Sequence, residues 1–347
     1  MIFHQIRTPN GCQSYLLGCR SSCAAIIVDP ELSLMARYQA LAVQEGLVLR
    51  YLLDTHTHAD HFSATHEMAR KSGLPVIMHR RSPAPFADMR VDDGEMLIVG
   101  ELRLSIMHTP GHTADSMCIL VNDRILTGDT LLIGGTGRTD LPSGDPDQLY
   151  DSLFNGILNL DPALLVFPGH IYADRTHTTL GEELASNPRL QKKERSDFVD
   201  QMRRLDLRMP THLTEALRTN MSGGKTVAQM LAEAANKVSF MSMEEVQRRI
   251  TSGEHDIVLL DVRERDAYAQ AHIPGAVFLP RGQLELRVND VLSDPTQRVV
   301  VYCEVGKIST LAAATLKDLG FGRAVALDGG IAGWKEHGYP TESSPSA

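Results

Sequence analysis

Three histidines and one aspartate crowd the short segment His56–His61, which reads HTHADH. The segment directly follows an apolar run, Tyr51–Leu53, that we predict to be a strand. Side chains two residues apart in an extended segment point the same way, so His56 and His58 are expected to share a direction. Imidazole and carboxylate ligands together suit zinc or iron. The segment is therefore a candidate metal-binding loop.

Three glycine-flanked residues that could bind the same metal follow later, at His112, Asp129 and His170. Each comes directly after a predicted strand or strand pair, and glycine lets the backbone turn sharply enough to project a ligand into a shared cleft. The ordered series indicates one metal site rather than unrelated loop residues. The candidate ligands are His56, His58, Asp60, His61, His112, Asp129 and His170. By their number they permit a two-metal hydrolase centre.

Short apolar runs separated by turns are expected to position these ligands. The runs predicted as strands are Ala24–Val28, Tyr51–Leu53, Pro75–Met78, Leu102–Met107, Met117–Val121, Ile125–Leu126 and Leu164–Phe167. Helices are predicted over Ser63–Lys71, which Gly73 stops, and over Asp147–Leu160. Many strands with interspersed helices indicate a layered α/β or α+β domain.

The chain is predicted to contain a second, smaller domain. Residues 1–238 are assigned to the first domain, with 191–238 as its C-terminal wrap and linker, and residues 239–347 to the second. Within the second domain, Ile257–Val262 and Val299–Tyr302 are predicted strands. Alternation of strands and helices over this length indicates a small parallel α/β domain.

Cys303 stands at the end of the second of these strands, and a helix is expected to begin at Ser309. The loop that follows the cysteine consists of Glu304, Val305, Gly306, Lys307, Ile308 and Ser309. A loop between a strand and a helix aims several backbone N–H groups inward, beside the helix N-terminus. Such surroundings lower the pKa of a thiol and hold an anion on its sulfur. Cys303 is therefore a candidate nucleophile.

Composition excludes several other classes of protein. The 347 residues carry 34 Lys and Arg against 43 Asp and Glu, a formal charge of −9, so a nucleic-acid partner is not expected. No apolar run reaches the ~18 residues that span a bilayer, and no secretory signal opens the chain. Five scattered cysteines make no disulfide framework, which favours the cytoplasm. Cys12, Cys19, Cys23 and Cys118 are expected to pack as small apolar side chains.

The metal-ligand series resembles the metallo-β-lactamase superfold over about residues 1–230, which implies an αββα sandwich with the metal site at one edge. A finer resemblance, to the persulfide dioxygenase family, is carried by Gly128–Ile133 leading into Gly137–Asp140, by Pro168–Tyr172 and by Asn187–Leu190. Members of that family use O₂ to oxidise the outer sulfur of glutathione persulfide to sulfite. The resemblance therefore implies glutathione persulfide, O₂, glutathione and sulfite as the small-molecule partners.

The same resemblance implies one Fe(II) per chain, held by His56, His112 and Asp129. A set of two histidines and one carboxylate leaves open positions on one face of the iron, where a sulfur and O₂ can both bind. The residues expected to orient these ligands, or to bind a second ion in a two-zinc alternative, are His58, Asp60, His61 and His170.

Two segments depart from the persulfide dioxygenase pattern. Ile133–Gly135 lacks an arginine that is often found there, and Leu141 and Pro142 replace the usual aromatic residue and glutamine. Both departures leave the predicted metal ligands unchanged.

Glutathione carries two carboxylates, so its site needs cations even in an acidic chain. Arg138 and Arg189 are the candidates, because arginine can bind a carboxylate with two hydrogen bonds. Tyr172 is a candidate hydrogen-bond donor to the tripeptide, and Asp140 is expected to hold Arg138 in place.

The C-terminal part resembles a single rhodanese domain over about residues 240–340. The resemblance is carried by Asp261–Glu264, His272–Ala276 and Leu327–Trp334. It implies that Cys303 carries sulfane sulfur as a persulfide. Many active rhodaneses have arginine at the loop position that Ile308 occupies here, so the adjacent Lys307 is the candidate cation.

The two domains that the resemblances imply act on related sulfur compounds, so one could supply the substrate of the other. The rhodanese domain could make glutathione persulfide from thiosulfate and glutathione, and the dioxygenase domain could oxidise it; the reverse transfer would make thiosulfate from sulfite. One alternative is a two-zinc glutathione-thioester hydrolase of the glyoxalase II type with an accessory rhodanese domain. Another is a sulfur carrier with an inactive metal site. The sequence is compatible with a homo-oligomer.

Overall fold

The protein divides into two compact units, Met1–Gly224 and Lys225–Ala347. The computed structural model describes residues 1–172, 175–210, 213–254 and 256–344. The second unit begins before the predicted boundary between residues 238 and 239. The reason is that the helix Val227–Lys237 buries Ala234 in the hydrophobic core of the second unit.

The first sheet of the first unit has strands β1 (Ile2–Arg7), β2 (Gln13–Gly18), β3 (Ala24–Val28), β4 (Val48–Leu53), β5 (Val76–His79) and β6 (Met89–Val91). They lie in chain order across the sheet. The pairs β1–β2 and β2–β3 are antiparallel, and the pairs from β3 to β6 are parallel. Strands β2 and β3 are buried along their whole length, as expected for strands covered on both faces.

The second half of the unit has strands β7 (Met96–Val99), β8 (Leu102–His108), β9 (Met117–Val121), β10 (Arg124–Gly128), β11 (Leu131–Leu132), β12 (Gly135–Thr136), β13 (Leu165–Pro168) and β14 (Thr178–Thr179). Strands β11 and β12 form a short hairpin, and the others form a sheet in the order β14-β13-β10-β9-β8-β7. Because β10 and β13 are parallel, their carboxyl ends meet at one edge of this sheet.

Helices cover the outer face of each sheet. They are α1 (Met35–Gln44), α2 (Thr65–Ser72), α3 (Pro146–Tyr150), α4 (Leu180–Ser186), α5 (Arg195–Arg203) and α6 (Leu213–Ser222). Tyr38 of α1 and Met68 of α2 pack on the first sheet, and Leu149 of α3 and Phe198 of α5 pack on the second. The two sheets share a third core between them. The predicted αββα sandwich is therefore confirmed.

The second unit is built on strands β15 (Ser239–Met241), β16 (Ile257–Asp261), β17 (Val277–Phe278), β18 (Arg298–Tyr302) and β19 (Val325–Leu327). All pairs in the order β15-β19-β18-β16-β17 are parallel. Its helices are α7 (Val227–Lys237), α8 (Met243–Thr251), α9 (Arg265–Gln270), α10 (Leu284–Val291), α11 (Lys307–Asp318) and α12 (Gly330–Glu336). Apolar cores lie on both faces of the sheet, so the predicted parallel α/β domain is confirmed.

Among the described residues, no helix combines the length and the apolar character needed to cross a membrane.

Candidate functional site

The predicted metal ligands lie in loops that leave the carboxyl ends of strands in both sheets. Asp129 directly follows β10, and His170 comes shortly after the neighbouring β13. Between them sits Gly169, where an added Cβ atom would lie 2.6 Å from Oδ1 of Asp129. Glycine at this position therefore leaves the space that the carboxylate occupies.

His56, His112 and Asp129 form one buried cluster, in which one ligand atom from each residue lies within 4.8 Å of the others. Nδ1 of His112 is 2.8 Å from the carbonyl oxygen of Arg138, so it carries the proton and donates. Nε2 of His112 therefore presents a lone pair, at 3.6 Å from Oδ2 of Asp129. Two acceptors facing each other in a buried site need a cation between them.

A chain of hydrogen bonds fixes the second histidine of this cluster in the same way. The hydroxyl of Thr55 donates to Oδ2 of Asp29 at 2.8 Å, so its oxygen accepts from Nδ1 of His56 at 3.0 Å. Nε2 of His56 is then a lone pair, and it is buried without a hydrogen-bond partner among the described residues. Burial, together with the neighbouring His58 and His112, lowers the pKa of His56 to about 3. The cluster thus fits a divalent metal that prefers neutral imidazole and carboxylate ligands.

Asp60, His61 and His170 form a second cluster beside the first, and the thiol of Cys12 completes it. His170 connects the two clusters, because its Nδ1 is 2.7 Å from Oδ1 of Asp129 and its Nε2 is 2.6 Å from Oδ2 of Asp60. Although burial opposes the charge, these two carboxylates hold the pKa of His170 well above its usual range.

Cys12 was expected to be a small apolar core residue, and this prediction is wrong. Its side chain is buried, but it contacts the imidazoles of His170 and His61, which lower the pKa of the thiol to about 6 even though burial works to raise it. Cys12 is brought there by a bridge between its backbone and that of His170. Such long-range pairing leaves no signal in the sequence around the cysteine.

His58 offers its ligand atom to a third cluster, with Asp29 and Asp54, although its ring lies 4.2 Å from that of His61. Its Nε2 is 3.2 Å from Oδ1 of Asp29 and 3.8 Å from Oδ1 of Asp54, both buried. The His58 ring nevertheless lies against that of His56, with centroids 4.2 Å apart, and its Nδ1 is buried without a partner among the described residues. That nitrogen is a further candidate ligand.

Hydrogen bonds from a residue of α6 also hold the segment His56–His61 in place. The side-chain amide of Asn220 donates to the carbonyl oxygens of His58 and His61, at 2.8 Å each, and accepts from the backbone N–H of Ser63 at 3.0 Å. Pattern analysis did not assign this role to Asn220, because the bonds cross more than half of the first unit.

A cavity of about 600 Å³ opens onto the first cluster and is lined by His112, Asp129, His170, Arg138, Arg189, Arg208 and Tyr172, among others. Its volume lies in the range of ~300–1,000 Å³ that small-molecule sites occupy. All four predicted glutathione contacts are at or beside it, since Asp140 is bonded to Arg138. Arg208 also lines the cavity, and no role was predicted for it from the sequence.

The two predicted cations in this cavity differ in availability. Arg138 donates to both carboxylate oxygens of Asp140 at 2.6 Å and to the carbonyl oxygen of Arg208 at 2.9 Å. Arg189 makes no ion pair with a described residue and contacts the sulfur of Met202 at 3.4 Å. Burial lowers the pKa of Arg189. Arg189 is therefore the better placed of the two to meet a ligand carboxylate.

In the second unit, Cys303 is buried at the end of β18, and α11 begins after Gly306. The backbone N–H of Ser309 donates to the sulfur of Cys303 at 3.3 Å, and the thiol is 3.4 Å from the hydroxyl oxygen of Ser309. Gly306 has a φ of 91°, which lets the loop turn directly into the helix. The predicted loop thus surrounds the cysteine sulfur with the start of a helix.

Side chains around Cys303 give the loop little positive charge. Glu304 accepts from Arg263, which also pairs with buried Asp261. Lys307 is exposed, and Ile308 is 49% exposed. Ile308 therefore does not pack under the loop, and the position is open to a longer side chain.

A two-sheet sandwich with histidine and aspartate clusters at one edge is the architecture of the metallo-β-lactamase superfamily, whose family model matches residues 7–170. The model of the rhodanese-like domain matches residues 242–337. The chain belongs to the persulfide dioxygenase family: it is 35% identical to persulfide dioxygenase ETHE1, mitochondrial, of Bos taurus over 228 residues, which are 65% of this chain and 89% of the relative.

Solved structures agree with this assignment. The crystal structure of ETHE1 from Myxococcus xanthus is 36% identical, has a TM-score of 0.63, and covers 65% of this chain and 100% of its own. A metallo-beta-lactamase from Staphylococcus aureus, 22% identical with a TM-score of 0.61, covers 94% of this chain and 98% of its own and shows likeness of fold alone. The family and the rhodanese-like domain together support a function in sulfur metabolism.

Proposed function

We propose that the first unit is an Fe(II)-dependent dioxygenase that oxidises glutathione persulfide, with O₂ and water, to sulfite and glutathione. The observation that carries the proposal is the cluster of His56, His112 and Asp129, whose lone pairs and carboxylate converge beside the cavity. Iron held there by His56, His112 and Asp129 would supply open positions for the persulfide sulfur and for O₂. The two named histidines keep their proton on Nδ1, so each Nε2 is free to bind the metal.

Residues of the cavity wall bind and orient the tripeptide in this proposal. Arg189 pairs with a glutathione carboxylate, because its guanidinium is not committed to any described carboxylate. Arg138, held by Asp140, presents a fixed edge of the cavity, and the 77% exposed Tyr172 is available as a hydroxyl donor. Nε2 of His170 lies 2.6 Å from Oδ2 of Asp60, and both residues line this cavity.

The second unit is proposed to move sulfane sulfur through Cys303. The Cys303 thiolate attacks the outer sulfur of thiosulfate, the S–S bond breaks, and sulfite leaves with the bonding electrons. A glutathione thiolate then attacks the outer sulfur of the Cys303 persulfide, which forms glutathione persulfide and restores the Cys303 thiolate. The N–H of Ser309 stabilises the sulfur anion in both steps. Run in reverse with sulfite, the same residues form thiosulfate.

Oxygen consumption by the purified full chain tests the proposal. We expect about one iron per chain, and O₂ uptake with glutathione persulfide that yields one sulfite per O₂. Two zinc ions per chain with no O₂ uptake would contradict the dioxygenase, and a chain that binds no metal would favour a sulfur carrier.

The second cluster favours one further candidate, a two-zinc hydrolase of glutathione thioesters. Asp129 contacts both clusters, and His170 Nε2 and Asp60 lie close enough together to bind a second ion. Hydrolysis of a glutathione thioester by zinc-loaded protein, measured beside O₂ uptake by iron-loaded protein, decides between the two reactions.

A further inference from the structure

A second cavity of about 400 Å³ lies beside the metal cavity in the first unit. Ala59 and Leu141 line both cavities, so they form part of the wall between them. The second cavity is lined by none of the predicted metal ligands or glutathione contacts. We call it the Arg81 pocket, after the cation that lines it.

The walls of the Arg81 pocket are largely apolar. They include Pro83, Leu141, Pro142, Leu217 and Met221. Leu217 and Met221 belong to α6, in which the neighbouring Asn220 donates a hydrogen bond to the segment His56–His61, called the metal-ligand segment below. A body made of methylene groups would be removed from water by contact with these side chains.

The buried polar side chains of the pocket wall, those of Thr57, Thr113 and Asp115, bond to one another. The carboxylate of Asp115 is buried and accepts from the hydroxyl of Thr57 at 2.6 Å and from that of Thr113 at 2.7 Å. Although burial opposes it, these hydroxyl bonds hold the pKa of Asp115 below its usual value, so the group is an anion. An anionic group of a ligand is therefore excluded from this part of the pocket.

Arg81 is the cation of the pocket. Its side chain is exposed, and its guanidinium makes no ion pair or hydrogen bond with another described residue, whereas the adjacent Arg80 is paired with Asp92. An unpaired arginine beside an apolar cavity suits a carboxylate, which it can bind with two parallel hydrogen bonds.

We propose that the Arg81 pocket is a binding site for an aliphatic monocarboxylate, separate from the site for the persulfide. The carboxylate pairs with Arg81 at the exposed side, and the methylene chain lies against Leu217, Met221 and Pro142. The uncharged methylene chain, and not the carboxylate of the ligand, then lies nearest to the Asp115 anion. This site goes beyond the proposed function and does not depend on it, because the binding needs no metal ligand.

Calorimetric titration of the full chain with hexanoate tests the proposal. Saturable binding is expected with a Kd on the order of 1 mM, as befits so small a ligand. Arg81→Gln should weaken hexanoate binding about fivefold to tenfold, the loss of one charge-assisted contact. Arg81→Lys should restore most of it, and the matched control Arg80→Gln should leave the Kd within about twofold of wild type.

Two comparisons make the result decisive. Hexan-1-ol, which has the same chain and no charge, should bind wild type and Arg81→Gln equally. Arg189→Gln should leave hexanoate binding unchanged, because Arg189 lies in the other cavity. The proposal is overturned if hexanoate does not saturate the protein, if Arg81→Gln binds it as wild type does, or if Arg189→Gln is the variant that loses it.

Discussion

The proposed metal site and the proposed sulfur-transfer site of this protein are assembled in different ways. The metal cluster takes His56 from the loop after β4, His112 from the loop after β8 and Asp129 from the loop after β10. The sulfur-transfer site takes its parts from the single stretch Cys303–Ser309, between β18 and α11. A site gathered from several loops depends on the packing of both sheets, whereas a strand–loop–helix site depends on local backbone geometry. Single substitutions should therefore separate the two activities.

Loss of a metal ligand should have the largest effect. His112→Ala removes one of the three proposed ligands, so iron content and O₂ uptake with glutathione persulfide should both fall by at least about 100-fold. Sulfur transfer from thiosulfate should stay within about twofold, because the two sites have separate cores. Metal analysis, an oxygen electrode and a sulfurtransferase assay check this. Wild-type iron content in the variant would remove His112 from the metal site.

Loss of the cysteine in the second unit should abolish sulfur transfer and leave persulfide oxidation in place. Cys303→Ser cannot form a persulfide carrier, so O₂ uptake driven by thiosulfate plus glutathione should be lost. Uptake driven by added glutathione persulfide should remain within about twofold, since the metal cluster uses no residue of this unit. If thiosulfate still drove O₂ uptake in this variant, Cys303 would not be the carrier.

The hydrogen bonds behind His56 should have an intermediate effect. Thr55→Val keeps the shape of the side chain but removes the hydroxyl that accepts from His56 and donates to Asp29. Loss of such an outer contact typically weakens metal binding by about 10–100-fold, which titration of the metal-free protein with iron can measure. Thr55→Ser retains the hydroxyl and is the matched control. Equal iron affinity in the valine variant and wild type would contradict the role of this chain of bonds.

A gain of charge at the sulfur-transfer loop should have the smallest effect. Ile308 is half-exposed, so Ile308→Arg can extend outward without straining the fold. One partly exposed charge-assisted contact with thiosulfate is worth on the order of 1 kcal/mol, or about fivefold in apparent KM. Steady-state kinetics beside a thermal melt measures this. An unchanged melt with an unchanged or higher KM would show that a missing cation does not limit the domain.

Motif spacing predicted the parts of both sites that lie close together in the chain or next to glycine. His56, His112 and Asp129 each follow a strand, and the structure brings them into one cluster. The loop after Cys303 was also predictable, because a strand, a tight glycine turn and a helix follow one another directly. Local order in the sequence was enough to place each of these residues at a strand end, whereas the meeting of His56 with His112 and Asp129 depends on the packing of the two sheets.

Features that arise only from folding were not predictable. Cys12 meets His170 through pairing of distant backbone segments, and Asn220 reaches the metal-ligand segment from α6. The chain is helical over the segment predicted as a helix, Asp147–Leu160, but it is an α-helix only over Pro146–Tyr150. A π-helical turn, Asp151–Gly156, and a 3-10 turn, Ile157–Asn159, follow. The apolar spacing predicted the buried side of this path, where Leu149, Leu153 and Ile157 lie, but did not predict the kind of helical turn.

The bonds from Asn220 also set an order of events during synthesis. The metal-ligand segment emerges from the ribosome early, but the amide that holds the carbonyl oxygens of His58 and His61 is made about 160 residues later. At translation rates of ~5–20 residues per second, that delay is on the order of ten seconds or more. During this interval the nascent chain displays imidazoles that are not yet locked in place. The segment His56–His61 can therefore reach its final geometry only after α6 has been made.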